Sequence, residues 1–142
     1  MGHSTRERGL HREAGRLRVL CSRFTHFSIA KSAFQLGLGA QSIAAIDTDS
    51  RYRMSPAALR EMIVRLRDQG LLPFAVVATA GTTDFGAIDP LEDIATIAGE
   101  AGAWLHVDAA YGGALLLAPA HAGRLTGLGR AASIAIDRFS IT

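Results

Sequence analysis

Apolar and polar positions in this chain follow two alternating periods. The runs "LRVLC", "SIAAI", "FAVVATA", "AWLHV" and "SIAID" are almost wholly apolar and predict strands, the third of them buried on both faces. Helical patterns separate them. "HFSIAKSAFQLGLG" predicts a helix with Ser28 near its start and Gly37 and Gly39 at its end. In "SPAALREMIVRLRDQG", Ser55 reads as N-cap, Pro56 as first helical residue and Gly70 as the stop, with Leu59, Met62, Ile63 and Leu66 on one face. "DPLEDIATIAGEAG" reads the same way: Asp89 as cap, Pro90 first, Glu92 completing a capping box, and Leu91, Ile94, Ala95 and Ala98 as the buried stripe. A short helix is predicted from Pro119 to Gly127. Strands that alternate with helices in this way predict an α/β fold, a mostly parallel sheet with helices on both faces.

Composition narrows the class. A chain of 142 residues is about one domain. No apolar run approaches the roughly 20 residues of a membrane-spanning helix, and the N-terminus lacks the apolar core of a secretory signal. Arg6 stands where a myristoylation site wants Ser or Thr. The expectation is a cytoplasmic protein with no membrane partner. The formal charge is +2, and residues 1–16 form a basic leader in which arginines alternate with Glu7 and Glu13. A basic face interleaved with aromatics is absent, which argues against a nucleic-acid partner. Cys21 is the only cysteine, so no internal disulfide can form, and it reads as a buried, inert thiol. Lys31 is the only lysine.

In open parallel sheets ligands bind outside the carboxyl ends of the strands, so the strand-to-helix corners are where chemistry is sought. Three corners stand out: "SRFTHFS" with His26, "ATAGTTDFG" with Thr82 and Thr83 after Gly81, and "HVDAAYGG" with Asp108. The glycines of "GLGAQS" follow a helix and precede a strand, the wrong context for a dinucleotide fingerprint. Each feature also has a plainer reading. His26 can be a capping or surface residue, and the Thr pair beside Gly81 can be turn chemistry. His106 and Asp108 share a strand face and can be half of a metal site, but no further cluster completes it, so no metal is expected. Asp108 is hardest to explain away, because a carboxylate at the end of an apolar strand among alanines needs a partner.

In sequence order, "THFSIAKSAFQLGLG", "ATAGTTDFGAIDPL" and "HVDAAYGG" resemble the pyridoxal-phosphate-dependent amino-acid decarboxylases, the family of the aromatic-amino-acid and glutamate decarboxylases. The likeness covers roughly Leu17 to Asp137. "TAGTTDFGAIDPL" and "DTDSRYRMSPAAL" are most similar to its diaminobutyrate decarboxylase branch. The resemblance implies the central part of the large domain of a fold-type-I enzyme, with pyridoxal phosphate as cofactor, an amino acid as substrate, carboxy-lyase activity and a homodimeric whole. It implies that Asp108 is the counter-ion of the protonated pyridine nitrogen. Two unit charges about 4 Å apart at an effective dielectric near 20 attract by about 4 kcal/mol. It also implies that His26, as catalytic and cofactor-binding residue, stacks on one ring face, that Ala110 lies against the other, and that Thr83 sits near the ring.

The sequence departs from the family pattern at its C-terminal end. Where the family has Asp-x-His-Lys, whose lysine forms the Schiff base with the cofactor, this chain has Asp137, then Phe139 in the histidine's place and Ser140 in the lysine's. Lys31 lies five positions beyond His26, about 140° around a helix, and reads as a solvated residue. The leader holds no Ser/Gly-rich phosphate-binding stretch, and the C-terminal small domain of the family is expected to be missing. The expectation is therefore a partial large domain over residues 17–142, from a truncated or frame-disrupted gene and inactive alone. The alternatives are a non-catalytic remnant that pairs with intact family subunits and, more remotely, another enzyme with the same cofactor, such as an aminotransferase.

Overall fold

Five strands build one sheet in the order β2-β1-β3-β4-β5, and every neighbouring pair is parallel. The computed structural model describes residues 14–137. The strands are β1 (Leu17–Ser22), β2 (Ile43–Ile46), β3 (Leu72–Thr79), β4 (Trp104–Asp108) and β5 (Ser133–Ala135). The helices are α1 (Ser28–Gln35), α2 (Pro56–Asp68), α3 (Leu91–Glu100) and the short α4 (Pro119–Ala122). The chain runs from β1 outward to β2, then crosses back to β3 and on to β5. The order therefore reverses between β1 and β3, where a crevice opens at the carboxyl ends.

Alternation along the strands divides the apolar residues between two faces. Leu20, Val76, Ala78, Leu105 and Val107 meet Leu59, Ile63 and Leu66 of α2 and Leu91, Ile94 and Ala98 of α3 in the main core. On the opposite face Val19, Cys21, Ala75 and Val77 form a smaller cluster under Ile29 of α1. That face is thinly covered, and Trp104 on it remains 55 % exposed. Cys21 is buried and free, and burial pushes its thiol pKa up, which agrees with an inert core thiol. Ser55 caps α2 as its sequence implies, accepting the Ala58 N–H at 3.3 Å.

Several predicted boundaries move. α1 spans only Ser28–Gln35, because Leu36 caps it and Gly37 and Gly39 both take positive φ. The segment predicted as helix from Pro119 to Gly127 is α4 followed by a 3-10 turn over Gly123–Leu125. β5 ends at Ala135 rather than Asp137. Of the basic leader, residues 1–13 lie outside the described residues. Ala14–Arg16 form one 3-10 turn that leads straight into β1, and Arg16 Nε donates to the Gly70 carbonyl at 3.0 Å.

The capping box of α3 does not form. Its first residue is Leu91, Pro90 occupies the cap position without a side-chain bond, and Glu92 pairs instead with Arg130 at 2.6 Å. Asp89 is 2 % exposed and turned inward, where its two oxygens accept the Met54 N–H at 2.6 Å and the Thr79 N–H at 2.8 Å. It ties the turn before α2 to the end of β3. Burial raises its pKa from the ordinary 3.8 to about 6, against the pull of those two N–H groups. The folded chain thus holds this proton more tightly than the unfolded chain. The group contributes stability that is fully present below about pH 4 and is lost as pH rises through about 6. Paired unfolding measurements on the unaltered chain and Asp89→Asn are expected to show their difference moving against the unaltered chain up to about pH 6, then levelling. A difference that moves in its favour over that window would exclude this assignment.

Candidate functional site

The corners after β1, β3 and β4, with the end of β5, enclose a cavity of about 460 Å³. His26, Thr83, Asp108 and Ala110, which the sequence analysis placed at three separate corners, all line it. So do Thr79, Gly81, Thr82, His106 and Asp137. The cavity lies outside the carboxyl edge of the sheet beside the reversal of strand order.

Each side chain reaches the cavity for a local reason. Asp108 is the last residue of β4, and the pleat that buries Leu105 and Val107 in the main core turns His106 and Asp108 to the opposite face. Asp108 is half-buried, and its Oδ1 accepts the Ala110 N–H at 3.1 Å. Among the described residues no cation pairs with it. His26 is exposed at the rim, and its Nδ1 lies 2.9 Å from Ser28 Oγ, so the first residue of α1 orients it. The Thr pair divides its labour: Thr82 is buried, and its Oγ1 accepts the Ala87 N–H at 3.0 Å to shape the turn. Thr83 is exposed and lines the cavity.

The small residues after Asp108 serve two purposes. Ala110 faces the cavity. Gly112 does not face it: its N–H donates to the Ala80 carbonyl at 2.9 Å, and an added Cβ would stand 2.1 Å from that oxygen. Gly81, at φ +99° on the other side of this contact, turns the chain out of β3. The strand-to-turn backbones of β3 and β4 thus touch directly, which fixes Thr83 and Asp108 relative to each other.

Two lining residues carry signals that sequence reading did not use. Thr79 is 3 % exposed, and among the described residues its Oγ1 has no hydrogen-bond partner. It is the ladder partner of Asp108. A buried hydroxyl left without a partner costs about 1–3 kcal/mol, so its place in a cavity wall points to a ligand. Strand alternation does place His106 on the face of Asp108, but its sequence reading went no further than half of a metal site. Among the described residues no group of three or more His, Cys, Asp or Glu can hold a metal ion. Phe24, Tyr52 and Phe85, from the loops after β1, β2 and β3, also meet at the carboxyl edge, with Tyr52 and Phe85 stacked at 3.8 Å. No local sequence pattern joins those three loops.

Residues 3–138 match the model of the pyridoxal-dependent decarboxylase conserved domain. The chain belongs to the pyridoxal-dependent decarboxylase family. It is 52% identical over 119 residues to the L-2,4-diaminobutyrate decarboxylase of Rhizobium meliloti, a match covering 84% of this chain and 24% of that protein. The chain thus spans about a quarter of the length of the curated relatives it matches. Its fold superposes with a TM-score of 0.92 and 46% identity on the glutamate decarboxylase domain of a Vibrio parahaemolyticus protein titled diaminobutyrate-pyruvate transaminase and L-2,4-diaminobutyrate decarboxylase. That match covers 96% of this chain and 29% of the other. An Oryza sativa structure titled TDC with PLP and tryptamine superposes with a TM-score of 0.84 at 34% identity, covering 92% of this chain and 28% of the other.

The cavity residues fit the family's cofactor. Among the described residues, a hydroxyl without a partner, a carboxylate without a cationic partner and a small Ala110 surround a space able to take a flat, cationic heterocycle. Phe139 and Ser140, expected from the sequence to stand at the family's histidine and lysine positions, lie outside the described residues. Lys31 is exposed on α1 and does not line the cavity. Among the described residues no helix is long and apolar enough to cross a membrane.

Proposed function

We propose that this chain carries the cofactor-facing part of a decarboxylase large domain that acts on an L-amino acid. The observation that carries the proposal is the convergence of His26, Thr83, Asp108 and Ala110 on one cavity. Similarity to L-2,4-diaminobutyrate decarboxylase supports a diamino acid as the substrate of the intact protein. The same reading takes the working unit to be a homodimer in the cytoplasm, and residues 17–142 to be part of the large domain.

In this reading Asp108 holds the protonated ring nitrogen, His26 covers one ring face, Ala110 leaves room for the other, and Thr83 bounds the ring edge. The Ala110 N–H, 3.1 Å from Asp108 Oδ1, restrains one oxygen of that carboxylate. When bound, pyridoxal phosphate supplies an electron sink for the pair released as the substrate's carboxylate leaves as carbon dioxide. The apolar strand ends behind Asp108 limit water there, so its charge acts at lower effective dielectric than in solvent.

Titration with pyridoxal phosphate, followed by its absorbance, tests this. Saturable binding is expected, and Asp108→Asn is expected to weaken it at least about tenfold, a conservative share of the attraction between close unit charges. No saturation, or equal binding by the two chains, would defeat the proposal. Ser140 favours a second reading of the chain alone, as a non-catalytic partner of intact subunits. Borohydride trapping is then expected to leave Lys31, the single lysine, unlabelled by mass spectrometry, and co-purification with a full-length decarboxylase would support the pairing.

A further inference from the structure

We infer that Trp104, Ser133 and His106 form a directed hydrogen-bond chain that places the proton of the neutral His106 ring on Nε2. His106 thereby becomes a positioning residue that presents an N–H donor to an oxygen acceptor of the bound heterocycle. The inference rests on the cofactor reading above for the ligand's identity, but not for the proton's position.

The register brings the three side chains together. Trp104, His106 and Asp108 alternate onto one face of β4, and Ser133 is the ladder partner of His106 on β5. Trp104 Nε1 lies 2.8 Å from Ser133 Oγ, and Ser133 Oγ lies 2.8 Å from His106 Nδ1. Proton counting sets the direction. An indole N–H can only donate, so Ser133 Oγ accepts from Trp104. The serine has one proton of its own, and His106 Nδ1 is the acceptor within reach among the described residues. If Nδ1 carried the ring proton instead, Ser133 would accept twice and its own proton would have no protein acceptor there. Trp104 therefore donates to Ser133, Ser133 donates to Nδ1, and the ring proton resides on Nε2.

His106 lines the cavity, and its Nε2 has no protein partner among the described residues. Its neighbours there are Asp108 and the orphaned, buried Thr79 hydroxyl. Two hydrogen-bonding groups without partners among the described residues thus flank the carboxylate. A neutral N–H donor at this place directs an acceptor without competing for the charge of Asp108. This gives Trp104 and Ser133, neither of which lines the cavity, a role in aiming the site.

The test uses the whole chain labelled with 15N-histidine, without cofactor, at about pH 8.5 where imidazole is neutral. Two-bond proton–nitrogen spectra, with His106 assigned by the loss of its signals in His106→Gln, are expected to show the Nε2–H form. Ser133→Ala is expected to give a mixture of both tautomers, and Ser133→Thr, which keeps the hydroxyl, to restore the single form. A dominant Nδ1–H form, or a tautomer indifferent to Ser133→Ala, overturns the hydrogen-bond chain. Titration with pyridoxal phosphate then reads its effect: Ser133→Ala is expected to bind about threefold to tenfold more weakly and Ser133→Thr within about twofold of the unaltered chain. Unchanged affinity in Ser133→Ala overturns the positioning role. Failure of the unaltered chain to bind the cofactor defeats the cofactor reading instead, and the spectra still decide where the proton lies.

Discussion

Gly112→Ala is expected to melt about 10 °C below the unaltered chain and to lose the cavity with it. A Cβ at this position would stand 2.1 Å from the Ala80 carbonyl oxygen and 2.8 Å from its carbon. Both are backbone atoms, so no side-chain rotation relieves the overlap. The same carbonyl accepts the Gly112 N–H at 2.9 Å, and relieving the clash means breaking that bond and separating the ends of β3 and β4. Overpacking together with a lost buried hydrogen bond costs on the order of 3 kcal/mol, and about 3 °C per kcal/mol applies to a domain of this size. Gly129 is the control, because an added Cβ there meets nothing within 4 Å. Thermal melts followed by circular dichroism decide the matter. If Gly112→Ala melts within about 2 °C of Gly129→Ala, the direct backbone contact is not what holds the two corners together.

Asp89→Ala is expected to lower stability by about 3 kcal/mol in urea unfolding at neutral pH. The substitution leaves the N–H groups of Met54 and Thr79 without their acceptor in a buried setting, each at a cost of about 1–3 kcal/mol. Removing a desolvated carboxylate returns part of that cost, which keeps the expected loss below the sum. The consequence extends to the cavity, since Thr79 is both a partner of Asp89 through its N–H and a wall residue through its hydroxyl. Weaker binding of pyridoxal phosphate should accompany the lost stability. A change within about 0.5 kcal/mol, the range of ordinary surface substitutions, would show that these two bonds hold nothing.

Asp89 also marks where local sequence rules fail. Asp-Pro-Leu-Glu has every feature of a helix start, and α3 does begin there, at Leu91. The capping rule considers only the next few residues. It is blind to two N–H groups, one 35 positions away and one 10, that approach the same carboxylate in the folded chain. A buried pair of donors outcompetes a solvated helix end, because water can satisfy the latter. α2 shows the opposite case: the Ser55 side chain accepts the Ala58 N–H and caps its helix as read.

The candidate site was legible in the same uneven way. Resemblance to a family supplied His26, Thr83, Asp108 and Ala110, and the fold brings all four to one cavity. Periodicity and spacing gave only their places at three corners. Thr79 and Ser133 were missed because each matters through its cross-strand partner, Asp108 and His106 respectively. Strand pairing between segments some thirty residues apart is not written in either segment alone.

By itself, the sequence determined the alternation of strands and helices, the parallel α/β class and the family, because apolar periodicity and short corner motifs are local properties that survive without knowledge of neighbours. Tertiary structure alone decided the strand order, the inward turn of Asp89, the contact of Gly112 with Ala80 and the Trp104–Ser133–His106 chain. Each of these depends on which distant backbone or side-chain group arrives within about 3 Å, and hydrogen bonds and steric overlap act only at that range.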